Sequence, residues 1–85
     1  MPVIITGGAS GIGEQITRSF VDQGAKVGFI DFDEDASERL YKDLRGKLNF
    51  EICDLSQTDD LKRAFSSLIT EIGKPATLVN NAARD

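Results

Sequence analysis

Apolar residues recur along the chain at a spacing of about 3.6 residues in three stretches, which predicts three amphipathic helices. Their apolar positions are Ile12, Ile16 and Phe20; Ala36, Leu40 and Leu44; and Leu61, Ala64, Phe65, Leu68, Ile69 and Ile72. Gly24, Gly46 and Gly73 follow the three stretches, and glycine after a helix adopts the left-handed conformation that ends it. Ser56 and Asp59 precede the third stretch at the spacing of a capping box, so we expect them to cap that helix.

Four short apolar runs alternate with the helices and predict strands. They are Val3–Thr6, Val27–Ile30, Leu48–Cys53 and Ala76–Asn80. The first is continuously apolar, as in a central parallel strand covered on both faces, whereas the third alternates apolar and polar residues and suits a sheet edge. The order β-α-β-α-β-α-β with right-handed crossovers predicts an α/β fold. We expect a doubly wound parallel sheet of strand order 3-2-1-4.

The composition excludes several function classes. The chain has 85 residues and a net charge of −4, so it is a poor candidate for binding nucleic acid or an anionic membrane surface. It has no run long enough to span a membrane and no basic start of a signal peptide. Histidine is absent, which excludes histidine-based metal sites and Ser-His or Cys-His catalysis. A single cysteine, Cys53, excludes an internal disulfide and a thiolate zinc site; we expect it to be a small buried hydrophobe in a cytoplasmic protein.

A glycine-rich segment, Thr6–Gly13, lies between the first predicted strand and the first predicted helix. Its glycines follow the spacing G-x-x-x-G-x-G at Gly7, Gly11 and Gly13. The N-terminus of a helix favours anions, and small residues let the backbone approach a pyrophosphate closely. No Gly-Lys-Ser/Thr follows, which excludes a P-loop. The segment predicts a nucleotide-binding loop; the alternative is a glycine-rich turn without a ligand.

Polar residues also follow the other three strands. Asp31 ends the second strand and lies about 20 residues beyond the glycines, where a carboxylate can hold the adenosine ribose. It also begins an acidic run that favours the N-terminus of the second helix. Asp54 follows the third strand and Asn80–Ala83 the fourth. Taken alone, Asp54 is equally consistent with a ligand contact and with a turn or helix cap, and consecutive asparagines also occur in turns.

Together, Thr6–Gly13, Asp31, Asp54–Leu55 and Asn80–Ala83 resemble the amino-terminal half of a short-chain dehydrogenase/reductase. The resemblance covers essentially the whole chain and departs from the family pattern at Ala83, where the family usually has glycine. It implies a Rossmann-like sheet, of which residues 1–85 would be the dinucleotide-binding portion of a single, truncated domain.

The resemblance also assigns roles at a cofactor. The residues that it places there are Gly7, Ser10, Gly11, Ile12, Gly13, Asp31, Asp54, Leu55, Asn81 and Ala82. The glycine loop would hold the pyrophosphate and Asp31 the adenosine ribose. Asp54 and the backbone of Leu55 would meet the adenine, and Asn81 and Ala82 would lie along the cofactor. The asparagine pair would also tie the fourth strand to the glycine loop.

Three residues predict NAD rather than NADP. Asp31 can accept both ribose hydroxyls of NAD, whereas it would repel a 2′-phosphate. Phe32 stands directly after Asp31, where an arginine would compensate for that repulsion. Ser10 lacks the basic side chain that many NADP-using relatives carry in the loop.

The family's catalytic residues, a Ser, a Tyr and a Lys in a Y-x-x-x-K motif together with an Asn, should lie beyond Asp85. Tyr41 and Arg45 have a similar spacing but the wrong basic residue, so we predict no catalytic residue here. The resemblance implies hydride transfer between NAD and a small alcohol or carbonyl substrate, in a homo-oligomer. The segment 80–85 is similar to one in some sugar dehydrogenases, which suggests a sugar or polyol. The alternatives are a stand-alone, non-catalytic dinucleotide-binding or sensing module, and a methyltransferase with the same sheet order.

Overall fold

The computed structural model describes residues 1–82, in which three helices pack on a four-stranded sheet. The elements are β1 (Pro2–Thr6), α1 (Gly11–Asp22), β2 (Lys26–Asp31), α2 (Glu34–Asp43), β3 (Asn49–Ile52), α3 (Thr58–Ile72) and β4 (Thr77–Asn80). Every predicted element is present, and the strand bounds differ from the predicted ones by one residue, at one end in β1 and β4 and at both ends in β2 and β3. Ala83 of the last predicted motif lies outside the described residues.

The sheet is wholly parallel and has the strand order β3-β2-β1-β4, which confirms the predicted fold class. Val3 of β1 pairs with Val27 of β2 on one side and with Thr77 of β4 on the other. Val3, Ile4 and Ile5 are fully buried, as expected of a central strand covered on both faces. Within residues 1–82, β3 and β4 are the two edges.

Two apolar clusters cover the two faces of the sheet, because alternate strand residues point to opposite sides. Val3, Ile5 and Phe29 pack on one face with α1 and α2. Ile4 and Ile30 pack on the other face with residues of α3. None of the helices in the described range combines the length and apolar character that a membrane crossing requires.

The first helix uses only part of the apolar stripe that its sequence predicts. Ile12 is 71% exposed, whereas Gly13 and Thr17 are the buried residues of α1. Ile16 and Phe20 pack only partly against the core. The cause is a close approach of α1 to the glycine loop at Gly13, which turns Ile12, one residue earlier, away from the sheet.

The predicted capping box at the start of α3 does not form. The helix begins at Thr58 with Gln57 as its N-cap, and no side chain caps it. Ser56 instead turns back to the preceding strand end, where its amide and its hydroxyl both donate to Asp54 Oδ1, at 2.9 and 2.7 Å. The prediction was wrong because the hydroxyl is used in this turn. Gly24, Gly46 and Gly73 all have positive φ and lie one to three residues beyond the last residue of their helices. After α2, however, the left-handed backbone already begins at Arg45, with φ +57°.

Candidate functional site

The C-terminal ends of the four parallel strands meet at one edge of the sheet, and the predicted site residues follow them. A cleft of about 210 Å³ opens there. It is lined by Gly7, Ser10, Asp31, Phe32, Asp33, Leu55, Asn81 and Ala82. The structure therefore brings together residues from the ends of three strands and the Leu55 turn after β3. Gly11, Ile12, Gly13 and Asp54 do not line this cleft.

Two glycines shape the loop between β1 and α1. Gly7 has φ +70°, and its amide donates to Ile30 O of β2 at 2.7 Å. A Cβ at Gly13 would overlap Gly7 O, so the first turn of α1 packs directly on the loop backbone. Ser10 is the N-cap of α1 but makes no side-chain capping bond. The start of α1 thus presents bare backbone, whose first amides have no partner within the helix.

A buried threonine beneath the loop was not anticipated from the sequence. Thr17 is fully buried, and its Oγ1 lies 2.9 Å from Gly13 O and 3.0 Å from Gly8 O. The hydroxyl therefore links the body of α1 to the loop that precedes it. The available signal was a small polar residue four positions after Gly13, on the same face of the helix. Gly8 was also missed; a Cβ there would collide with Phe29.

Asp31 ends β2 with its carboxylate bonded to backbone on two sides. Oδ2 accepts from Ala9 N at 3.0 Å, and Oδ1 accepts from Asp33 N at 2.9 Å. The residue is only 4% exposed, yet it lines the cleft. The helix cap is a different residue: Asp33 Oδ1 accepts from Ala36 N at 3.0 Å. The alternative interpretation, in which an acidic residue favours the start of α2, therefore applies to Asp33.

The side chains after β2 and β3 give the cleft an apolar part. Phe32 is 77% exposed, and it lines the cleft together with Leu55. Asp54 is exposed and accepts from Ser56 in the turn described above. Cys53 is buried, which confirms the prediction for this residue; burial raises the pKa of its thiol.

The fourth strand is tied to the glycine loop by its asparagines, as predicted. Asn81 Nδ2 donates to Gly7 O at 3.1 Å. The amides of Asn81 and Ala82 donate to Thr6 Oγ1 at 3.1 and 3.3 Å. The Thr6 hydroxyl lies 3.1 Å from Asn80 Oδ1, to which it can donate. These bonds hold the ends of β1 and β4 together at one wall of the cleft.

A larger groove of about 670 Å³ lies along α1 beside the C-terminal end of α2. No predicted site residue lines it. Arg18 bridges it through ion pairs with Glu14 at 2.8 Å and Asp43 at 3.0 Å. These hydrogen bonds raise the pKa of Arg18 above its ordinary value. The groove therefore holds a surface ion-pair network away from the strand ends.

Comparison with known proteins gives a family match over nearly the whole chain. The model of the short chain dehydrogenase family matches residues 2–85. An L-fucose dehydrogenase of Oryctolagus cuniculus is 40% identical over 80 residues, which cover 94% of this chain and 28% of that protein. A D-xylose 1-dehydrogenase of Caulobacter vibrioides is 41% identical over 86 residues, which cover 98% of this chain and 33% of that protein.

Solved structures share the fold. An actinorhodin polyketide ketoreductase with NADPH has a TM-score of 0.90 and 27% identity, covering 98% of this chain and 33% of that one. A 3-ketoacyl-(acyl-carrier-protein) reductase of Brucella melitensis complexed with NADH has a TM-score of 0.89 and 33% identity. The match covers 95% of this chain and 33% of that one. The chain spans about a third of the length of these relatives. With its sheet order, its glycine loop and a family match from residue 2 to residue 85, the chain belongs to the short-chain dehydrogenase family.

Proposed function

We propose that the chain binds NAD at the cleft, as the cofactor-binding portion of an oxidoreductase that transfers hydride between an alcohol and NAD. The observation that carries this proposal is the meeting of two features in one cleft. One is a bare glycine loop at the N-terminus of α1, and the other is the buried carboxylate of Asp31. A helix N-terminus favours a pyrophosphate, and a carboxylate accepts from ribose hydroxyls.

The residues present fit such a cofactor. A carboxylate has about four lone-pair positions, and two on Asp31 are used by backbone amides, so two remain for hydroxyl donors. Phe32 and Leu55 supply apolar surface on which the adenine can lie. The cleft is smaller than a whole dinucleotide. We therefore place the adenosine end in it and the pyrophosphate on the loop at Gly11 and Ile12.

When bound, the nicotinamide supplies or accepts the hydride. The residues of this chain bind and orient the cofactor, and we assign no catalytic acid or base to them. Tyr41 supports that view, because it lies in α2 against Phe50, with ring centroids 5.6 Å apart, and it does not line the cleft. The chemistry then belongs to residues of the whole protein that follow this portion of the domain.

The preference for NAD over NADP rests on the surroundings of Asp31. The solved relatives carry NADPH in one case and NADH in the other, so the choice depends on this chain's own residues. A hydrogen bond to a charged group is worth about 1.5–3 kcal/mol, and a 2′-phosphate would meet the carboxylate at close range. Neither Phe32 nor Ser10 offers a compensating positive charge. We expect NAD to bind roughly 10- to 100-fold more tightly.

For the substrate, we propose a sugar or polyol. The names of two relatives, L-fucose dehydrogenase and D-xylose 1-dehydrogenase, support this class. The family resemblance extends the proposal to a homo-oligomer, and the single, buried Cys53 is consistent with a cytoplasmic protein.

Calorimetric titration of the protein with NADH, NADPH and S-adenosylmethionine tests the proposal. We expect NADH to bind most tightly and S-adenosylmethionine not to bind. Substitution Gly13→Val should abolish NADH binding, whereas Ser19→Ala, on the exposed face of α1, should leave it unchanged. Binding of S-adenosylmethionine in place of NADH would favour a methyltransferase. NADH binding without hydride transfer by the whole protein would favour a non-catalytic sensing module.

A further inference from the structure

The carboxylate of Asp31 lies at the junction of three segments: the end of β2, the glycine loop and the turn into α2. It contacts the loop through Ala9 N and the turn through Asp33 N. No lysine or arginine within residues 1–82 forms an ion pair with it. A charge buried to this extent is retained only when donors surround it. The two backbone amides are therefore its structural partners.

The backbone amide of Ala9 in turn needs the Asp31 carboxylate as its hydrogen-bond acceptor. The residue is buried, so its amide is removed from water, and the Asp31 carboxylate accepts its hydrogen bond. A buried donor that loses its acceptor costs free energy. Removal of the carboxylate would therefore drive the loop to move until the amide of Ala9 found another partner.

The position of Ala9 in the loop makes this bond important. The loop is also held by Gly7 N on Ile30 O, by Asn81 on Gly7 O and by Thr17 on Gly8 O. All of these attachments lie at the first two glycines. The bond at Ala9 is the next one along the chain, and the exposed start of α1 follows it directly at Ser10.

We propose that Asp31 is a positioning residue for the glycine loop, whose distal half it holds through Ala9. This role does not require that Asp31 contacts a ribose. It rests on the proposed function only for the identity of the ligand that the loop binds. One consequence concerns cofactor preference. A substitution of Asp31 that removes repulsion of a 2′-phosphate would also release the loop, so the two properties cannot be altered independently at this position.

Amide hydrogen exchange measured by NMR on the ligand-free protein tests the proposal at Ala9 itself. Asp31→Ala removes both acceptor oxygens, and Asp31→Asn keeps the shape with one carbonyl oxygen. Asp35→Asn is the matched control, since it removes an exposed negative charge in the first turn of α2. We expect Asp31→Ala to accelerate exchange at Ala9 by about tenfold or more, with a smaller effect in Asp31→Asn. Asp35→Asn should leave it unchanged, and the amides of β1 should change little in all three.

Unchanged exchange at Ala9 in both Asp31 variants would overturn the proposal, and so would an equal acceleration at Ala9 and in β1. If neither variant folds, the test is made on the wild-type protein. The scalar coupling between Ala9 N and the Asp31 carboxyl carbon is then measured across their hydrogen bond. The coupling between Gly7 N and the Ile30 carbonyl carbon serves as the reference. If that coupling is detected and the one from Ala9 is not, the proposal is also overturned. A wild-type protein that does not bind NADH would contradict the proposed function and leave the exchange result intact.

Discussion

Gly11 and Gly13 require glycine for different reasons, and the difference predicts different costs of substitution. Gly11 has φ +57° with open space where a Cβ would stand, whereas a Cβ at Gly13 would overlap Gly7 O. Gly11→Ala should therefore cost about 1–2 kcal/mol, the cost of a left-handed alanine. Gly13→Ala should cost more, because the helix must move off the loop. Urea unfolding of the two variants measures both free energies, and equal costs would contradict the close packing at Gly13.

Asp31 and Phe32 together predict how cofactor preference can be changed. Asp31→Ser combined with Phe32→Arg removes the repelling carboxylate and adds a positive charge next to it. We expect the ratio of NADPH to NADH affinity to rise by roughly tenfold or more, since each 1.4 kcal/mol is a factor of ten. Titration with both cofactors measures the ratio, with Asp35→Asn as the charge control. An unchanged ratio would mean that the carboxylate acts only on the loop.

At the scale of residues, motif spacing indicated the glycine loop and the polar residues at strand ends better than the contacts beneath that loop. The spacing indicated Gly7, Gly13 and Asp31, because glycines between a strand and a helix, followed by an acidic residue at the next strand end, form a pattern typical of dinucleotide binding. It did not indicate Thr17, whose hydroxyl bonds to Gly8 O beneath the loop. That role depends on how closely α1 approaches β1, which spacing along the chain does not encode.

At the scale of elements, one arginine fastens α3 to the edge strand β3. Arg63 Nη1 donates to Glu51 Oε1 and Nε to Asp60 Oδ1, both at 2.7 Å, and Nη2 donates to Ile52 O at 3.1 Å. The hydrogen bond from Arg63 lowers the pKa of Asp60 below its ordinary value. The network is exposed, and solvent screens such pairs, so its contribution to stability is small and depends on pH.

The sign of that dependence follows from the pKa of Asp60. Because the folded-state pKa is lowered, the contribution is present above the ordinary value and is lost as the pH falls through the folded-state value. Arg63→Met should therefore lower the free energy of unfolding slightly at pH 7, and the difference from wild type should shrink in acid. Lys62→Met on the adjacent exposed position is the control. Urea unfolding between pH 2 and pH 7 measures the difference, and a constant difference across this range would contradict the assignment.

Periodicity predicted the type, order and pairing of the elements, because strand and helix spacing reflect which faces are buried. It failed where an element begins. Ile12 matches the stripe of α1 but is exposed, because the next residue, Gly13, is the one that packs on the loop. Ser56 matches a capping box but bonds to Asp54. Both errors lie within a turn of a helix N-terminus, where loop packing, at Ile12, and local hydrogen bonds, at Ser56, compete with the regular pattern.

At the scale of the molecule, β4 is an uncovered edge of the described sheet. It pairs only with β1 within residues 1–82, and Leu78 on it is 55% exposed. Exposed apolar edge strands recruit other chains. We expect the isolated 85-residue chain to associate as its concentration rises and Leu78→Lys to weaken that association. Phe32→Lys, at an exposed apolar residue that follows β2 rather than β4, should not.

Sedimentation equilibrium over a range of concentrations measures the association. A wild-type chain that stays monomeric throughout, with a sharp thermal transition above about 60 °C, would contradict the prediction for β4.

The central claim is that the dinucleotide binds at the C-terminal edge of the sheet, and NMR mapping of the amide shifts during an NADH titration tests it most directly. We predict that the shifts concentrate in the glycine loop and at residues 31–33, 54–55 and 80–82. Amides along the larger α1–α2 groove, such as those of Asp22 and Lys47, should not move. Shifts confined to that groove, or no shifts at millimolar NADH, would contradict the account.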